Sequence, residues 1–338
     1  MTQNTTIEQT ELGSGGPRVG IQGLGCMGMS EFYGETDEEA ARATLWAALD
    51  AGVTLFDTAD VYGRGRNEEF LAPFVAAHRE RITLATKFGI ERTDDPQYRG
   101  VRNDRAYLRR AVEDSLRRLG TDVIDLYYMH RHDPSVPFAE SVGAMSELVQ
   151  EGKVRHLGLS EVTGAELREA CAVHPIAALQ SEWSLFSRDV ERSAVGAAAE
   201  LGVAFVPYSP LGRGFLTGAF ADAAELSQGD FRLLQPRFTG ANAKANTALL
   251  EPVRQVARAH GATPAQIALA WVQQRARAHG LTVVPIPGTR RPERLAENTA
   301  ATRITLTEPE LALLEPIAGQ VSGDRHPDMT FTSAAREA

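Results

Sequence analysis

The strongest constraint on the fold is the alternation of short apolar runs with longer amphipathic stretches, which continues along most of the 338 residues. About eight of these runs have the unbroken hydrophobic character of strands buried on both faces, and a helix-like stretch follows each run. This repetition predicts an α/β protein in which eight parallel strands close into a (β/α)8 TIM barrel. We expect one domain over residues 1–338, with partly disordered tails at about 1–10 and 322–338.

An open, doubly wound sheet is the alternative that the same pattern allows. Such a sheet carries a G-x-G-x-x-G phosphate fingerprint at its first turn, and Gly23, Gly25 and Gly28 have that spacing. However, no acidic residue ends a second strand in the setting of a ribose ligand, because Asp57 is followed by a loop that carries a tyrosine. A lone motif of this kind is weak evidence, so the barrel is favoured.

Two departures from the repeat predict additional structure. The Gly-rich stretch TELGSGGPRV precedes the first strand candidate, VGIQGLG, and indicates a hairpin that caps the bottom of the barrel. A long loop without clear periodicity follows the seventh strand, from Gly212 to about Asn246. Long loops inside compact folds are usually lids or clamps, so we expect this loop to serve the function.

Composition argues against several classes of protein. The net charge of −9 and the pI of about 5.5 disfavour nucleic-acid binding. Cys26 and Cys171 are the two cysteines, so we expect neither a disulfide framework nor a metal site. The first residues lack the features of a signal peptide, and no apolar segment approaches the roughly 20 residues that span a bilayer. We therefore expect a cytoplasmic protein with no membrane or nucleic-acid partner.

Four chemically active residues lie at the ends of three successive strands. Asp57 and Tyr62 follow the second strand, Lys87 ends the third and His130 ends the fourth. Lys87 is the cation that a buried Asp57 requires, and a positive charge beside Tyr62 would lower the tyrosine pKa from about 10. His130 has the chemistry to orient a carbonyl group. The set predicts a site that protonates the oxyanion formed when a carbonyl group accepts hydride.

Each of these residues taken alone has an ordinary structural explanation. Asp57 could simply end a strand, Tyr62 could be a packed aromatic residue, Lys87 a surface lysine and His130 a core histidine. We interpret His132, two residues further on, as structural. The functional interpretation rests on the convergence of the required residue types on one end of a barrel, where the strand carboxyl ends meet.

The motifs around these residues resemble those of the aldo-keto reductases. The resemblance runs in order from about Gly20 to Asn298, through FDTADVYG, LATKFG, YYMHRHDP, LGLSE, LQSEWSLFSR, PYSPLGRGFLTG and VPIPGTRRPERLAEN. The opening GLGCMGMS and the LGRGFLTG loop are most similar to the bacterial, yeast and plant branch. The resemblance implies that Tyr62 is the general acid, that Lys87 depresses its pKa, that Asp57 keeps Lys87 charged and that His130 positions the substrate carbonyl.

The resemblance also implies that NADPH lies extended across the barrel mouth without a Rossmann domain. Ser160 and Gln180 would bind the nicotinamide amide, and Tyr208 would stack on the nicotinamide ring. Glu161 lies where many relatives carry Asn, which leaves its role toward the amide open. The full set of cofactor contacts implied is Gly25, Cys26, Met27, Asp57, Ser160, Gln180, Tyr208, Ser209, Pro210, Leu211, Gly212, Gly214, Gly288, Thr289, Arg290, Arg294, Glu297 and Asn298.

Within that set, the loop after the seventh strand would wrap the pyrophosphate. The adenosine 2′-phosphate would meet Gly288, Thr289, Arg290 and Arg294, and the adenine would lie near Glu297 and Asn298. The stretch GTRRPER supports this physically, because it places arginines at a helix start, which is a favourable anion site. The arginines favour NADPH over NADH. Arg291 is the one that we expect to face solvent.

The substrate is expected to be a small aldehyde or ketone. Candidate wall residues are Phe32, Tyr33, Phe88 and Trp183. An NAD(P)-dependent alcohol or sugar dehydrogenase uses the same site in reverse, and an NADPH-binding regulatory or sensor subunit uses the same scaffold. Both remain open as alternatives, as does assembly into a homo-oligomer.

Overall fold

The structure is a computed structural model that describes residues 6–93 and 100–337. The expected disorder of residues 1–5 and of residue 338 therefore lies outside the described residues. The strands are β1 Gln9–Glu11, β2 Arg18–Gly20, β3 Leu24–Gly25, β4 Leu55–Asp57, β5 Thr83–Phe88, β6 Ile90–Glu91, β7 Gly100–Val101, β8 Ile124–Met129, β9 Val154–Ser160, β10 Ile176–Glu182 and β11 Ala204–Tyr208.

The helices alternate with the barrel strands and surround them. They are α1 Glu38–Asp50, α2 Arg66–His78, α3 Arg105–Leu119, α4 Phe138–Gln150, α5 Gly164–Val173, α6 Ala194–Leu201, α7 Gly240–Ala248, α8 Leu250–His260, α9 Pro264–Ala278, α10 Pro292–Ala300 and α11 Glu308–Leu314. Local signals explain their limits, since α5 begins with a Thr163–Glu166 capping box and α3 ends at Gly120 in the left-handed conformation. Among the described helices, none combines the length and apolar character needed to cross a membrane.

The predicted barrel is confirmed. Strands β3, β4, β5, β8, β9, β10 and β11 pair in that order, and every pair is parallel. An extended segment around Val283 fills the eighth position with a single bridge to Phe205. It closes the barrel, because Val284 N donates to Phe205 O and Gly23 N donates to Pro285 O, each at 2.9 Å. Pro285 lacks an N–H, so this segment cannot form a regular ladder.

The predicted first strand divides into two elements. Its start, Arg18–Gly20, pairs with Gln9–Glu11 as the antiparallel hairpin expected from the Gly-rich stretch, and only Leu24–Gly25 enters the barrel. The hairpin residues Leu12 and Val19 are fully buried and pack in one cluster with the barrel interior. The hairpin therefore closes the bottom of the barrel with apolar contacts.

The opposite end of the barrel is covered by two segments without long strands or helices of their own. The loop after β11 forms short 3₁₀ turns, among them Gly212–Thr217 and Phe231–Leu234, before α7 begins. The carboxyl-terminal segment also packs there, although its composition suggested a partly disordered tail. Arg325 is 2% exposed and Ser333 is 1% exposed, so this segment belongs to the folded unit.

We predict that Gly13→Ala lowers the free energy of unfolding by clearly more than Gly15→Ala. Both glycines have positive φ, so each substitution costs about 1–2 kcal/mol of left-handed strain. A Cβ on Gly13 would also lie 2.2 Å from the Ala177 carbonyl oxygen, whereas nothing lies within 4 Å of one on Gly15. That overlap adds about 1–3 kcal/mol.

Urea unfolding of the two variants beside the wild type measures this difference. Equal midpoints for Gly13→Ala and Gly15→Ala would show that the hairpin does not press on the barrel bottom.

Candidate active site

One cavity of about 1020 Å³ opens at the carboxyl ends of the barrel strands. Its size exceeds the range of about 300–1,000 Å³ that is common for drug-sized ligands. Most of the residues that the sequence assigned to catalysis, cofactor or substrate lie on its wall: Gly25, Met27, Phe32, Tyr33, Asp57, Tyr62, His130, Ser160, Gln180, Tyr208, Ser209, Pro210, Leu211, Gly214, Gly288, Thr289, Arg290, Arg294, Glu297 and Asn298.

Lys87 lies beneath the cavity wall and is completely buried. Its Nζ donates to Asp57 Oδ1 at 2.5 Å and to the Thr58 carbonyl oxygen at 2.7 Å. Gln180 reaches Asp57 from the far side of the barrel, since its Nε2 donates to Asp57 Oδ2 at 2.8 Å. Burial alone would lower the pKa of Lys87, but Asp57 and Tyr62 outweigh burial and raise it above the ordinary value. Lys87 is therefore a permanent cation at the base of the cavity.

Tyr62, on the cavity wall, also lies within reach of this cation. The Tyr62 hydroxyl lies 3.5 Å from Lys87 Nζ. The expected depression of the Tyr62 pKa is wrong as a net effect: burial raises the pKa above 10 and outweighs the lowering by Lys87. Tyr62 therefore keeps its proton at neutral pH, beside a charge that stabilises the phenolate once the proton has left.

His130 faces Tyr62 across the cavity wall. The two rings meet edge to face, with centroids 5.9 Å apart. Burial, followed by the charges of Arg131 and Lys87, holds the His130 pKa well below its ordinary value, so the imidazole is neutral. Its Nδ1 has no hydrogen-bond partner among the described residues. A neutral imidazole can donate one hydrogen bond without adding a charge to the site.

Besides Lys87, four of the assigned residues do not line the cavity among the described residues. Phe88 stacks on Tyr127, and Trp183 packs against Phe205, so both proposed wall residues belong to the core between strands and helices. Cys26 is fully buried with its thiol directed at the Leu24 carbonyl oxygen. Gly212 is also buried. Phe88 follows Lys87 on β5, and successive side chains on a strand point to opposite faces of the sheet, so the two cannot both face the barrel interior.

The three arginines at the start of α10 have different surroundings, and Arg290 is not free to bind a phosphate as the sequence predicted. The Arg290 guanidinium is engaged with the protein, since it donates to the carbonyl oxygens of Gly28, Tyr33 and Gly34 and to the Thr36 hydroxyl. Arg291 and Arg294 line the cavity, are exposed, and have no side-chain partner among the described residues. Arg291 is therefore exposed to solvent, as expected, and it also borders the cavity.

The cavity wall also holds residues that the sequence did not single out. They are mostly charged or lie in the carboxyl-terminal segment: Arg92, Arg131, Arg213, Arg232, His326, Asp328, Phe331 and Thr332. The LGRG turn could have indicated Arg213, which has a φ of +56° and follows the strained Ser209, with a φ of +49°. The segment after residue 322 carried no periodic signal.

These features fit a dinucleotide, whose phosphate groups are anionic. Burial, and then repulsion from the neighbouring charges of Arg291, Arg232 and Arg294, hold the pKa of Arg290 below its ordinary value, although Asp230 opposes them. An anion at the amino terminus of α10 would relieve that repulsion. Left-handed backbone at Ser209 and Arg213 bends the loop after β11 along the same cavity, as is typical of ligand-binding segments.

The family of the chain follows from this fold and site together with sequence similarity. A model of the aldo/keto reductase family matches residues 23–318, so the chain belongs to the aldo/keto reductases. These are oxidoreductases that use a nicotinamide cofactor, and the family acts on small carbonyl substrates. The resemblance seen in the motifs is thereby confirmed.

Solved structures of bacterial members are similar over almost the whole chain. The glycerol dehydrogenase AKR11B4 from Gluconobacter oxydans is 28% identical, with a TM-score of 0.82 over 97% of this chain and 99% of that one. The aldo-keto reductase AKR11C1 from Bacillus halodurans is 26% identical, with a TM-score of 0.75 over 95% and 100%. The thermostable aldo-keto reductase Tm1743, solved with the inhibitor epalrestat, is 31% identical, with a TM-score of 0.72 over 92% and 100%.

We predict that Lys87→Met lowers the free energy of unfolding by about 3–5 kcal/mol, because it leaves the buried Asp57 carboxylate without its cation. Arg117→Met is the matched control. Arg117 pairs with Asp114, but its side chain is 72% exposed, so its loss costs less than about 1 kcal/mol.

Chemical denaturation at pH 7 compares the two variants with the wild type. Equal losses of stability would show that Lys87 and Asp57 are not coupled as their geometry indicates.

Proposed function

We propose that this protein reduces aldehydes and ketones to alcohols with NADPH, and that Tyr62 is the general acid. The observation that carries the proposal is the position of the Tyr62 hydroxyl, on the cavity wall and 3.5 Å from the buried, charged Lys87. A proton donor beside a fixed positive charge suits a site in which an oxyanion develops and must be protonated.

A nicotinamide cofactor held in this cavity would supply the hydride for the carbonyl carbon of the substrate. Tyr62 gives its proton to the carbonyl oxygen, and the Lys87 charge stabilises the phenolate that remains. Asp57 holds Lys87 in its protonated form. The neutral His130 donates a hydrogen bond to the same oxygen and so orients the carbonyl group before reaction.

The cofactor is proposed to be NADPH and to lie between Tyr208 and α10. Ser160 is suited to the nicotinamide amide, because its oxygen accepts from Arg131 Nη1 at 3.1 Å and its hydroxyl proton is left to donate. Arg291 and Arg294 are the free guanidinium groups for a 2′-phosphate. Arg290 would act indirectly, since it ties the loop from Gly28 to Thr36 to the same place.

Oxidation of an alcohol or a polyol is the second candidate. The similarity to the glycerol dehydrogenase from Gluconobacter oxydans favours it, and the same four residues would then work in reverse. In that direction the Tyr62 phenolate accepts the alcohol proton.

A cytoplasmic location stays a prediction.

We predict that the protein oxidises NADPH in the presence of 4-nitrobenzaldehyde, and that Tyr62→Phe lowers kcat by at least about a hundredfold, which is the usual contribution of a positioned acid. NADPH binding should survive, because the phenyl ring is retained. Tyr107→Phe is the control, since Tyr107 packs against Arg102 outside the cavity lining.

Absorbance at 340 nm follows the reaction, with a panel of aldehydes, ketones and, in reverse, glycerol. Full activity in Tyr62→Phe would remove the assignment of the acid. Tight NADPH binding without turnover of any compound would instead favour a cofactor-binding sensor.

A second prediction concerns the choice of cofactor. The double variant Arg291→Gln, Arg294→Gln should raise the Kd for NADPH by at least about tenfold, because charge-assisted hydrogen bonds contribute about 1.5–3 kcal/mol each. The Kd for NADH should change little, since NADH has no 2′-phosphate. Fluorescence titration measures both constants, with Arg18→Gln on the hairpin at the barrel bottom as control. Equal increases in the Kd for NADPH and in the Kd for NADH would show that the 2′-phosphate does not bind these two arginines.

A further inference from the structure

Glu161 is saturated by protein groups although it follows directly on Ser160 at the nicotinamide end of the proposed cofactor site. Its side chain is fully buried, and its φ of +54° is strained for a glutamate. Both carboxylate oxygens accept from Arg325, at 3.0 and 2.8 Å, and they also accept from the Tyr208 hydroxyl at 2.8 Å and from Ser333 N at 3.1 Å. A carboxylate has about four acceptor positions, so none is left for a nicotinamide amide.

Arg325 is the cation that makes this burial tolerable. It is 2% exposed, and its Nη2 donates to Asp189 at 3.0 Å as well as to Glu161. Burial would raise the pKa of Glu161, but Arg325 outweighs burial and holds it well below the ordinary range. Arg325 Nη1 also donates to the Tyr208 hydroxyl at 3.0 Å. Tyr208 is therefore held from two sides by one buried ion pair.

The same glutamate holds the carboxyl-terminal segment at two points. Arg325 binds the carboxylate, and further along the chain Arg336 Nη2 donates to the Glu161 carbonyl oxygen at 2.6 Å, while its Nε donates to Glu166 at 2.9 Å. We name residues 325–336 the carboxyl-terminal strap. Between its two anchors, the strap presents His326, Phe331 and Thr332 to the cavity.

We propose that Glu161 and Arg325 are positioning residues, which fix Tyr208 against the nicotinamide and fix the strap as a wall of the substrate cavity. Glu161 acts through these groups and does not contact the cofactor amide. The pair thereby determines affinity at the nicotinamide end and the size of carbonyl compound that the cavity accepts. This inference rests on the proposed NADPH-dependent reduction.

The test uses the full chain with Arg325→Met, Arg325→Lys and the control Arg79→Met. Arg79 forms a comparable ion pair with Asp125, but at the amino ends of the strands, away from the cavity. Binding is measured with NADPH and with adenosine 2′,5′-bisphosphate, which lacks the nicotinamide. Turnover is measured with 4-nitrobenzaldehyde and with propanal, and thermal unfolding is recorded for every variant.

Arg325→Met is expected to raise the Kd for NADPH about tenfold, as for the loss of one hydrogen-bonded charge, and to leave binding of the bisphosphate unchanged. The ratio of kcat/KM between the two aldehydes should change by at least about fivefold. Arg325→Lys keeps the positive charge but cannot form the bidentate contact with the Glu161 carboxylate. Its Kd for NADPH and its aldehyde ratio should therefore fall between those of the wild type and Arg325→Met. Arg79→Met should lower only the unfolding temperature.

Three results would overturn the inference. The first is that Arg325→Met behaves as Arg79→Met does, with a loss of stability and no change in Kd or in the aldehyde ratio. The second is that NADPH and the bisphosphate weaken equally, which indicates a general distortion. The third applies if Arg325→Met does not fold: it is that Arg325→Lys has the same Kd for NADPH and the same aldehyde ratio as the wild type. A wild type that neither binds the bisphosphate nor oxidises NADPH would contradict the proposed function itself, whereas an active wild type with unaltered variants would contradict this inference alone.

Discussion

The buried ion pair of Lys87 and Asp57 is the interaction on which the arrangement of the site depends. Lys87 is completely inside the protein, so its charge is tolerable only because Asp57 and the Thr58 carbonyl oxygen accept from it. The two residues lie on neighbouring parallel strands, and Gln180 joins the pair from across the barrel. Tyr62 lies above this pair, with its hydroxyl 3.5 Å from Lys87 Nζ, so the strand pairing that builds the barrel also places Tyr62 beside the buried cation.

The two ends of the barrel are built from different interactions. The bottom is closed by an apolar hairpin whose Leu12 and Val19 join the interior cluster. The mouth is stabilised by buried charges. Glu161 and Arg325 form an ion pair there that hydrogen-bonds to Tyr208 and anchors the strap. Apolar contacts are tolerant of direction, whereas hydrogen-bonded charges fix angles and distances. Geometry is therefore specified most strictly at the mouth of the barrel, where the cavity opens.

The family shows how little sequence identity this architecture needs. Structures that share between 26% and 31% of residues with this chain superimpose over more than nine-tenths of it. A barrel with its chemistry at the carboxyl ends of the strands can exchange loops without moving those ends. The proposed roles of Glu161 and the carboxyl-terminal strap concern this part of the barrel, and the assignment of the acid to Tyr62 stays a prediction for kinetics to test.

The sequence by itself determined the barrel, the hairpin, the loop after the seventh strand and the convergence of Asp57, Tyr62, Lys87 and His130. These follow from periodicity and from the rule that parallel strands end on one face. Only the tertiary structure decided that prolines reduce the eighth strand to a bridge, that Phe88 and Trp183 face the core, and that Arg325 reaches Glu161. The direction of a side chain and the net effect of burial and charge on a pKa depend on neighbours that are distant in the chain, and no local pattern records them.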